Sequence, residues 1–355
     1  MRAYHAHVRD RDLCLTHTLL NPRPNKHVGA ARQDIPEMAA HVVRERDDGI
    51  VLRGARLLAT LPMADEIAVF PARMVEPGEE SARFAFGVAI PTASPGLRFV
   101  CRDSVDHGFD RRDHPLASCF EEMDAVVLFD DVHMLWERVS CYRDVEACNG
   151  VYPATGANAH MAHQVVCKTI AKTEYLLGLV SLLVEGADLG AFQHVHEKLT
   201  EIWVNLEVVK ALKLAAETGA ARNEFGLVVP AWDPLDSVRN LYPRLYPRMI
   251  EIVQQIGASG LVAMPTRADL DGPLGEEIRF YYQGARLEAQ ERIPLYRSAW
   301  DTAVSSFGSR QVLYERYRVC FALRITGALD REALCRALDR LRARHESLRA
   351  GSSST

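Results

Sequence analysis

The hydrophobic rhythm of the chain changes once, near Val151. From Gly49 to about Val139 the apolar residues fall in short runs, at 50–52, 56–59, 67–70, 84–90, 97–101 and 125–129. Clusters of Gly, Pro, Asp and Ser separate the runs, which is how strands joined by turns read. They predict a compact β-barrel or sandwich of six or more strands. From about Asn158 the period becomes helical. Residues 159–185 carry Val165, Ile170, Leu176, Leu177, Val180 and Leu183, and residues 192–217 carry Leu199, Ile202, Trp203, Leu206, Val209 and Leu212. Stretches at 234–256 and 274–306 complete a set of four, and long helices with short connections predict a four-helix bundle. Strands followed by helices make the class α+β rather than alternating βαβ.

Residues 1–48 are mixed: a polar start, an apolar run at 13–20, then NPRPNK, where Pro22 and Pro24 flanking Arg23 predict an irregular loop. The chain therefore divides into 1–48, a β-domain at 49–145, a helical domain at 146–317 and a tail at 318–355. Leu334, Leu338 and Leu341 make one face of a helix in the tail, and its GSSST end is expected to be disordered.

Composition narrows the function classes. The chain has 355 residues, 48% hydrophobic and 25% charged, with a net charge of −5, as in an ordinary globular protein. No basic block or RNP-type motif is present, so nucleic acid is not an expected partner. The longest apolar run, 175–184, falls well short of the ~18 residues a membrane span needs. The start, MRAYHAHVRDRD, has no apolar signal core. Eight cysteines include no C-x-x-C pair, which fits reduced thiols in a cytoplasmic protein. No G-x-G-x-x-G follows a strand and no Walker A loop occurs, so no NAD(P)H site is expected.

Three blocks carry a resemblance: DLCLTHTLLNPRPNK at 12–26, GIVLRGARLLATLPMADEIAVFP at 49–71 and FEEMDAVVLFDDVHMLWERV at 120–139. Together they resemble the oxygenase component of the two-component 4-hydroxyphenylacetate 3-monooxygenase family, over most of the chain. The resemblance implies an acyl-CoA-dehydrogenase-like fold, a β-barrel domain followed by a four-helix bundle, with the family's N-terminal helical domain largely missing. Residues 1–48 would then be a remnant of that domain plus a flavin loop. The tail resembles the opening strand and first helix of a nonribosomal-peptide condensation domain; the HHxxxDG motif is absent, so no condensation chemistry is implied.

The resemblance gives some residues roles that the residues alone do not. His17, between apolar neighbours, reads by itself as a half-buried core histidine. The match at LTHTLLNP places it on the family's active-site histidine, which hydrogen-bonds the substrate phenol. A phenol with a pKa of about 10 must lose its proton to become a good carbon nucleophile, and an imidazole can take or share it. Arg23, Pro24, Asn25 and Lys26 read as an exposed loop; the family's segment here contacts FAD, where the two cations would meet pyrophosphate. Thr60 reads as a β-forming strand residue, and the family's threonine at this point hydrogen-bonds the isoalloxazine ring. Ala72 and Arg73 stand where the family has a substrate-contacting small polar pair. Phe307, Gly308, Ser309 and Arg310 read as a helix end with glycine, and the matching block contacts FAD, with Arg310 as a phosphate partner. Glu121, Glu122, Asp124, Asp130 and Asp131 bracket a strand and read as turn residues. No metal site is expected: His160 and Cys167 read as bundle residues, and His194 and His196, two apart on a helix, do not face each other.

The implied function is flavin-dependent ortho-hydroxylation of a phenol, 4-hydroxyphenylacetate- or tyrosine-like, using FADH2 and O2 through a C4a-hydroperoxyflavin. A separate flavin reductase would supply FADH2, and homo-oligomers through the bundle are implied. Two alternatives stand beside it. One is a catalytically inactive truncated paralogue or fragment retaining the fold and weak flavin binding, because the family's phenol-clamping arginine and tyrosine lie upstream of the histidine. The other is an oxygenase acting beside a peptide synthetase on a tyrosine-like, carrier-bound substrate.

Overall fold

The computed structural model describes residues 2–71 and 75–317; Ala72, Arg73 and the tail at 318–355 lie outside the described residues. A short helix α1 (Arg2–Asp10) opens the chain. The strands are β1 (Leu15–Thr18), β2 (His41–Arg46), β3 (Gly49–Thr60), β4 (Glu66–Val69), β5 (Phe86–Pro91), β6 (Leu97–Cys101), β7 (Asp124–Leu135) and β8 (Val139–Tyr142), with α2 (Glu79–Ala82) between β4 and β5. They form two four-stranded sheets, ordered β1-β4-β5-β8 and β2-β3-β7-β6. β1 and β4 are parallel, with His17 opposite Ala68; the other pairings are antiparallel.

Both sheets bury their apolar alternation in one core. Ile50 and Leu52 of β3 and Val127 and Phe129 of β7 pack with Ile67 and Val69 of β4 and Phe86 and Ile90 of β5. Removing that much apolar surface from water is the main driving force for closing the two sheets together. Gly54 permits the close approach of the chain that precedes β2. Its φ is +109°, and a Cβ there would sit 2.4 Å from the Ala39 carbonyl oxygen, so no other residue fits without displacing the backbone.

The strand pattern differs from the expectation in three ways. The runs at 50–52 and 56–59 are one twelve-residue strand, β3, which continues along β7 through a shift of register between Leu52 and Gly54. β7 continues to Leu135, with Val132 and Met134 again turned inward. β1 and β2 lie upstream of residue 49, in the region read as mixed. They are short and polar on one side; β1 becomes a strand by pairing with the distant β4, and β2 by a hairpin with β3.

The helices are α3 (Val145–Thr155), α4 (Ala157–Gly186), α5 (Gln193–Thr218), α6 (Trp232–Gly257), α7 (Arg267–Asp271), α8 (Gly275–Tyr281), α9 (Ala289–Ala303) and α10 (Ser306–Tyr317); a two-stranded ribbon, β9 (Ala221–Arg222) with β10 (Val228–Val229), joins α5 to α6. The expected fourth helix at 274–306 is broken into α8 and α9 by the segment 282–288, which contains Gly284, and α9 restarts at a capping box between Glu288 and Glu291. Trp203, expected on the buried face of α5, is exposed.

The chain forms two compact units. The first comprises the chain through Met161 with Leu261–Gln283 and Leu287–Phe307; the second comprises Ala162–Gly260, Gly284–Arg286 and the described residues from Gly308. The linear division at 145/146 does not follow these units. In the first, Asp301 of α9 is fully buried and accepts from the amides of Leu116 and Ala117 at 2.7 and 2.9 Å, which ties α9 to the loop before β7. In the second, the fourth helix beside α4, α5 and α6 is α10. Glu315 of α10 is fully buried and accepts from Lys168 and Lys172 of α4 at 2.7 Å each. Tyr242 of α6 contacts Thr173 of α4 at 3.3 Å. Among the described residues no helix is long and apolar enough to cross a membrane.

Candidate active site

β1 is held by threonines on one face and presents histidine on the other. Thr16 and Thr18 point inward; Thr18 Oγ1 donates to the Leu57 carbonyl at 2.9 Å, and Thr16 Oγ1 donates to the Thr60 carbonyl. Alternation then turns His17 the other way, where it is half-buried. Its ring stacks on Phe70, 6.5 Å between centroids and 23° between planes. Phe70 in turn packs against Tyr152 of α3 at 5.8 Å. Burial pushes the Tyr152 phenol up to about 12, so it stays a neutral donor across the ordinary pH range. Asn149, one turn earlier on α3, donates to the Val75 carbonyl and accepts from the Val75 amide, at 3.0 and 2.8 Å.

Thr60 ends β3 opposite Asp124 of β7. Its hydroxyl donates to Asp124 Oδ1 at 3.2 Å. Asp124 also accepts from Arg102, which pairs with Glu121. Burial of Glu121 opposes its charge, but Arg102, the Val105 amide and Ser104 together outweigh that and hold the carboxyl below its usual range. Asp130 and Asp131 pair with Arg98 and Arg53. These acids thus serve the sheet, in line with their reading as strand-end residues, with Asp124 also orienting Thr60.

The loop after β1 is folded on itself. Gln33 accepts from the Asn25 amide and donates to the carbonyls of Asn25 and Val28. Arg23 donates to the Lys26 carbonyl at 2.6 Å, while Pro24, Asn25 and Lys26 are exposed. Residues 307–310 are not a helix end: they form the first turns of α10. Phe307 belongs to the first unit and Gly308, Ser309 and Arg310 to the second. Arg310 lies over the Tyr314 ring at 5.5 Å.

Three polar residues were not anticipated. Arg56, on β3, is 1% exposed, and Nη1 donates to the Leu19 carbonyl at 3.0 Å. Nε and Nη2 have no partner among the described residues. Burial lowers its pKa to about 10, and Phe86 lies beneath the guanidinium at 5.5 Å. The signal for Arg56 was a charge inside an apolar strand run; Tyr152 and Asn149 carried no signal, because α3 has no clear apolar period. Among the described residues, no group of three or more His, Cys, Asp or Glu is placed to hold a metal. A shallow hollow of about 540 Å³ between Phe192, Val195 and Ile256 contains none of the site residues.

The order and register of these blocks have a counterpart. The model of the 4-hydroxyphenylacetate 3-hydroxylase N-terminal region matches residues 1–140, and that of the C-terminal region matches residues 148–332. The chain belongs to the 4-hydroxyphenylacetate 3-hydroxylase family. The oxygenase component of 4-hydroxyphenylacetate 3-monooxygenase from Thermus thermophilus is 49% identical over 317 residues, 89% of this chain and 66% of that one. The chain thus spans just under two thirds of that relative's length. A crystal structure of such an oxygenase component complexed with FAD and 4-hydroxyphenylacetate is 44% identical, with a TM-score of 0.87, over 96% of this chain and 73% of that one. An acyl-CoA dehydrogenase from Geobacillus kaustophilus shares the fold at 15% identity and a TM-score of 0.50, over 86% of this chain and 68% of that one. The hydroxylase-family chain therefore has the acyl-CoA-dehydrogenase-like α+β architecture expected from its blocks.

Proposed function

We propose that the chain is the FADH2-using oxygenase of a two-component system and ortho-hydroxylates a phenol. The observation that carries this reading is His17, half-buried on a stitched strand edge with an aromatic wall beside it. An aromatic ring lying against Phe70 would bring its hydroxyl to the imidazole, which accepts or shares the proton near neutral pH. Removing that proton makes the ortho carbon nucleophilic. Phe70 and the ring of Tyr152 line the site with apolar surface and limit water there.

The residues present fit a flavin. Thr60, whose hydroxyl donates to Asp124, stands where the family's threonine would bond the isoalloxazine ring. Arg23 and Lys26, on a loop ordered by Gln33, suit the pyrophosphate. Arg310 is assigned to the same phosphate role by its place in the family block. Reduced FAD, when bound, supplies the oxygen-activating chemistry. A separate flavin reductase delivers it, and the protein works as a homo-oligomer. By the resemblance Ala72 and Arg73 stand at the substrate-contacting pair, and the phenol is 4-hydroxyphenylacetate- or tyrosine-like.

The test supplies the purified protein with FAD, NADH and a flavin reductase and follows catechol by chromatography. Catechol formed in step with NADH supports the reading. FADH2 binding without catechol from any phenol would point instead to a flavin-binding paralogue, and absence of both would remove the proposal.

A further inference from the structure

Two cysteines that form no motif in the sequence, seven residues apart, meet in the fold. Cys141 lies near the end of β8, and Cys148 in the first turn of α3. Arg143 turns the chain between them with a φ of +53°. The Asp144 carbonyl then accepts from the Cys148 amide at 3.0 Å and from the Cys141 thiol at 3.5 Å. The two sulfurs are in contact at 2.9 Å, and both thiols are free. A bond of about 2.05 Å between them asks for a movement of about 1 Å or less. Among the described residues no other two cysteines touch. We propose that Cys141 and Cys148 are an oxidation site, a dithiol that hydrogen peroxide closes to a disulfide between β8 and α3.

The surroundings set the order of events. Cys141 is half-buried on an edge strand, whereas Cys148 is buried. Burial, and next the Cys141 sulfur, push the Cys148 thiol well above its usual range, against the opposing charge of Arg56. Cys148 therefore stays protonated, and Cys141 is the sulfur that peroxide meets. Its thiolate attacks one peroxide oxygen. The O–O bond breaks, and Cys141 becomes a sulfenic acid. The other oxygen leaves as hydroxide and takes the proton that Cys141 gave up. The Cys148 sulfur then attacks the Cys141 sulfur. The S–S bond forms, the S–O bond breaks, and the oxygen leaves as water with the proton of Cys148. Two thiols and one peroxide thus give one disulfide and two waters, the sulfurs supplying both electrons. Contact between the sulfurs makes the second step intramolecular, which offsets the weaker nucleophile. The bond ties the first turn of α3, the helix of Asn149 and Tyr152, to β8. None of this rests on the oxygenase reading, since added peroxide serves as the oxidant.

The experiment treats the reduced, purified chain with hydrogen peroxide, blocks the remaining thiols with N-ethylmaleimide and maps tryptic peptides by mass spectrometry. Trypsin cuts after Arg143, so the bridge joins two peptides that dithiothreitol separates. The expected result is that joined pair, with two fewer alkylatable thiols in the protein. Fragmentation should place the bridge on Cys148 and not on Cys167 of the same peptide. In Cys148→Ser, Cys141 should stop at the sulfenic acid, which dimedone traps. In Cys141→Ser, Cys148 should keep its thiol over the same time. Alkylation of Cys141 and Cys148 in full, while the exposed Cys14, Cys101 and Cys119 are oxidised, would overturn the inference. So would a bridge to Cys167, or oxidation of Cys148 in Cys141→Ser at the wild-type rate. The wild-type map decides without either variant. A chain that makes no catechol leaves every one of these readings intact.

Discussion

Each unit buries charged and polar groups, and the two examples that stand out differ in their partners. In the helical unit, Glu315 is wholly buried but receives two lysines, Lys168 and Lys172, on an adjacent helix. In the β-unit, Arg56 and Tyr152 are buried with donors that no described residue accepts. A buried charge with its counter-charges holds helices in register. A buried donor without an acceptor costs stability and persists where something else uses it.

The largest expected effect would break the contrast at its functional side. His17→Ala should lower catechol formation by about 10²–10⁴-fold, the usual worth of a positioned acid–base group. Oxygen would still be consumed, so peroxide per NADH should rise as catechol per NADH falls. Unchanged coupling would take His17 out of the chemistry.

Next in size is the structural side. Glu315→Ala leaves two lysines without their acid and should destabilise the helical unit by about 2–4 kcal/mol, less than for wholly buried partners because both lysines reach solvent. Urea unfolding measures this. A change within a few tenths of a kcal/mol would mean that the pair holds nothing, and the contrast between the units would fail.

Thr60→Val tests a group that belongs to both categories, since its hydroxyl bonds Asp124 and is assigned to the flavin. Losing one hydrogen bond of about 1 kcal/mol should weaken FADH2 binding several-fold by anaerobic fluorescence titration and leave the affinity for phenols alone. Equal flavin affinity in a Thr60→Val, Arg310→Ala double variant would remove both from the flavin site.

The smallest effect concerns pH. Glu66 of β4 is buried, which alone would raise its pKa, but bonds from Arg138 and Tyr4 prevail and hold it below its usual value. A carboxyl with a lowered folded-state pKa stabilises the fold above its unfolded pKa, and the contribution disappears as pH falls through the folded value. Glu66→Gln should thus be less stable than wild type at neutral pH, with the difference closing in acid. A difference that is constant with pH would show that the ion pair is not its source.

The fold class and the order of the site blocks could be read from the chain. Period-two runs with turn residues between them, followed by long period-3.6 stretches, admit few architectures. A block such as LTHTLLNP places a histidine in a known context without coordinates. These signals are local, and local patterns survive in one dimension.

Other features depend on partners far away in the chain. β1 becomes a strand through pairing with β4, about 50 residues on, which its own four residues do not announce. The helix expected at 274–306 yields to a break, and α10 takes the fourth place in the bundle because Glu315 finds Lys168 and Lys172 about 145 residues away in sequence. Tyr152 carried no signal in the sequence, since whether a hydroxyl has a partner depends on what long-range packing brings within about 3 Å of it. Periodicity records which side of an element faces the core. It carries no record of which distant group meets that side.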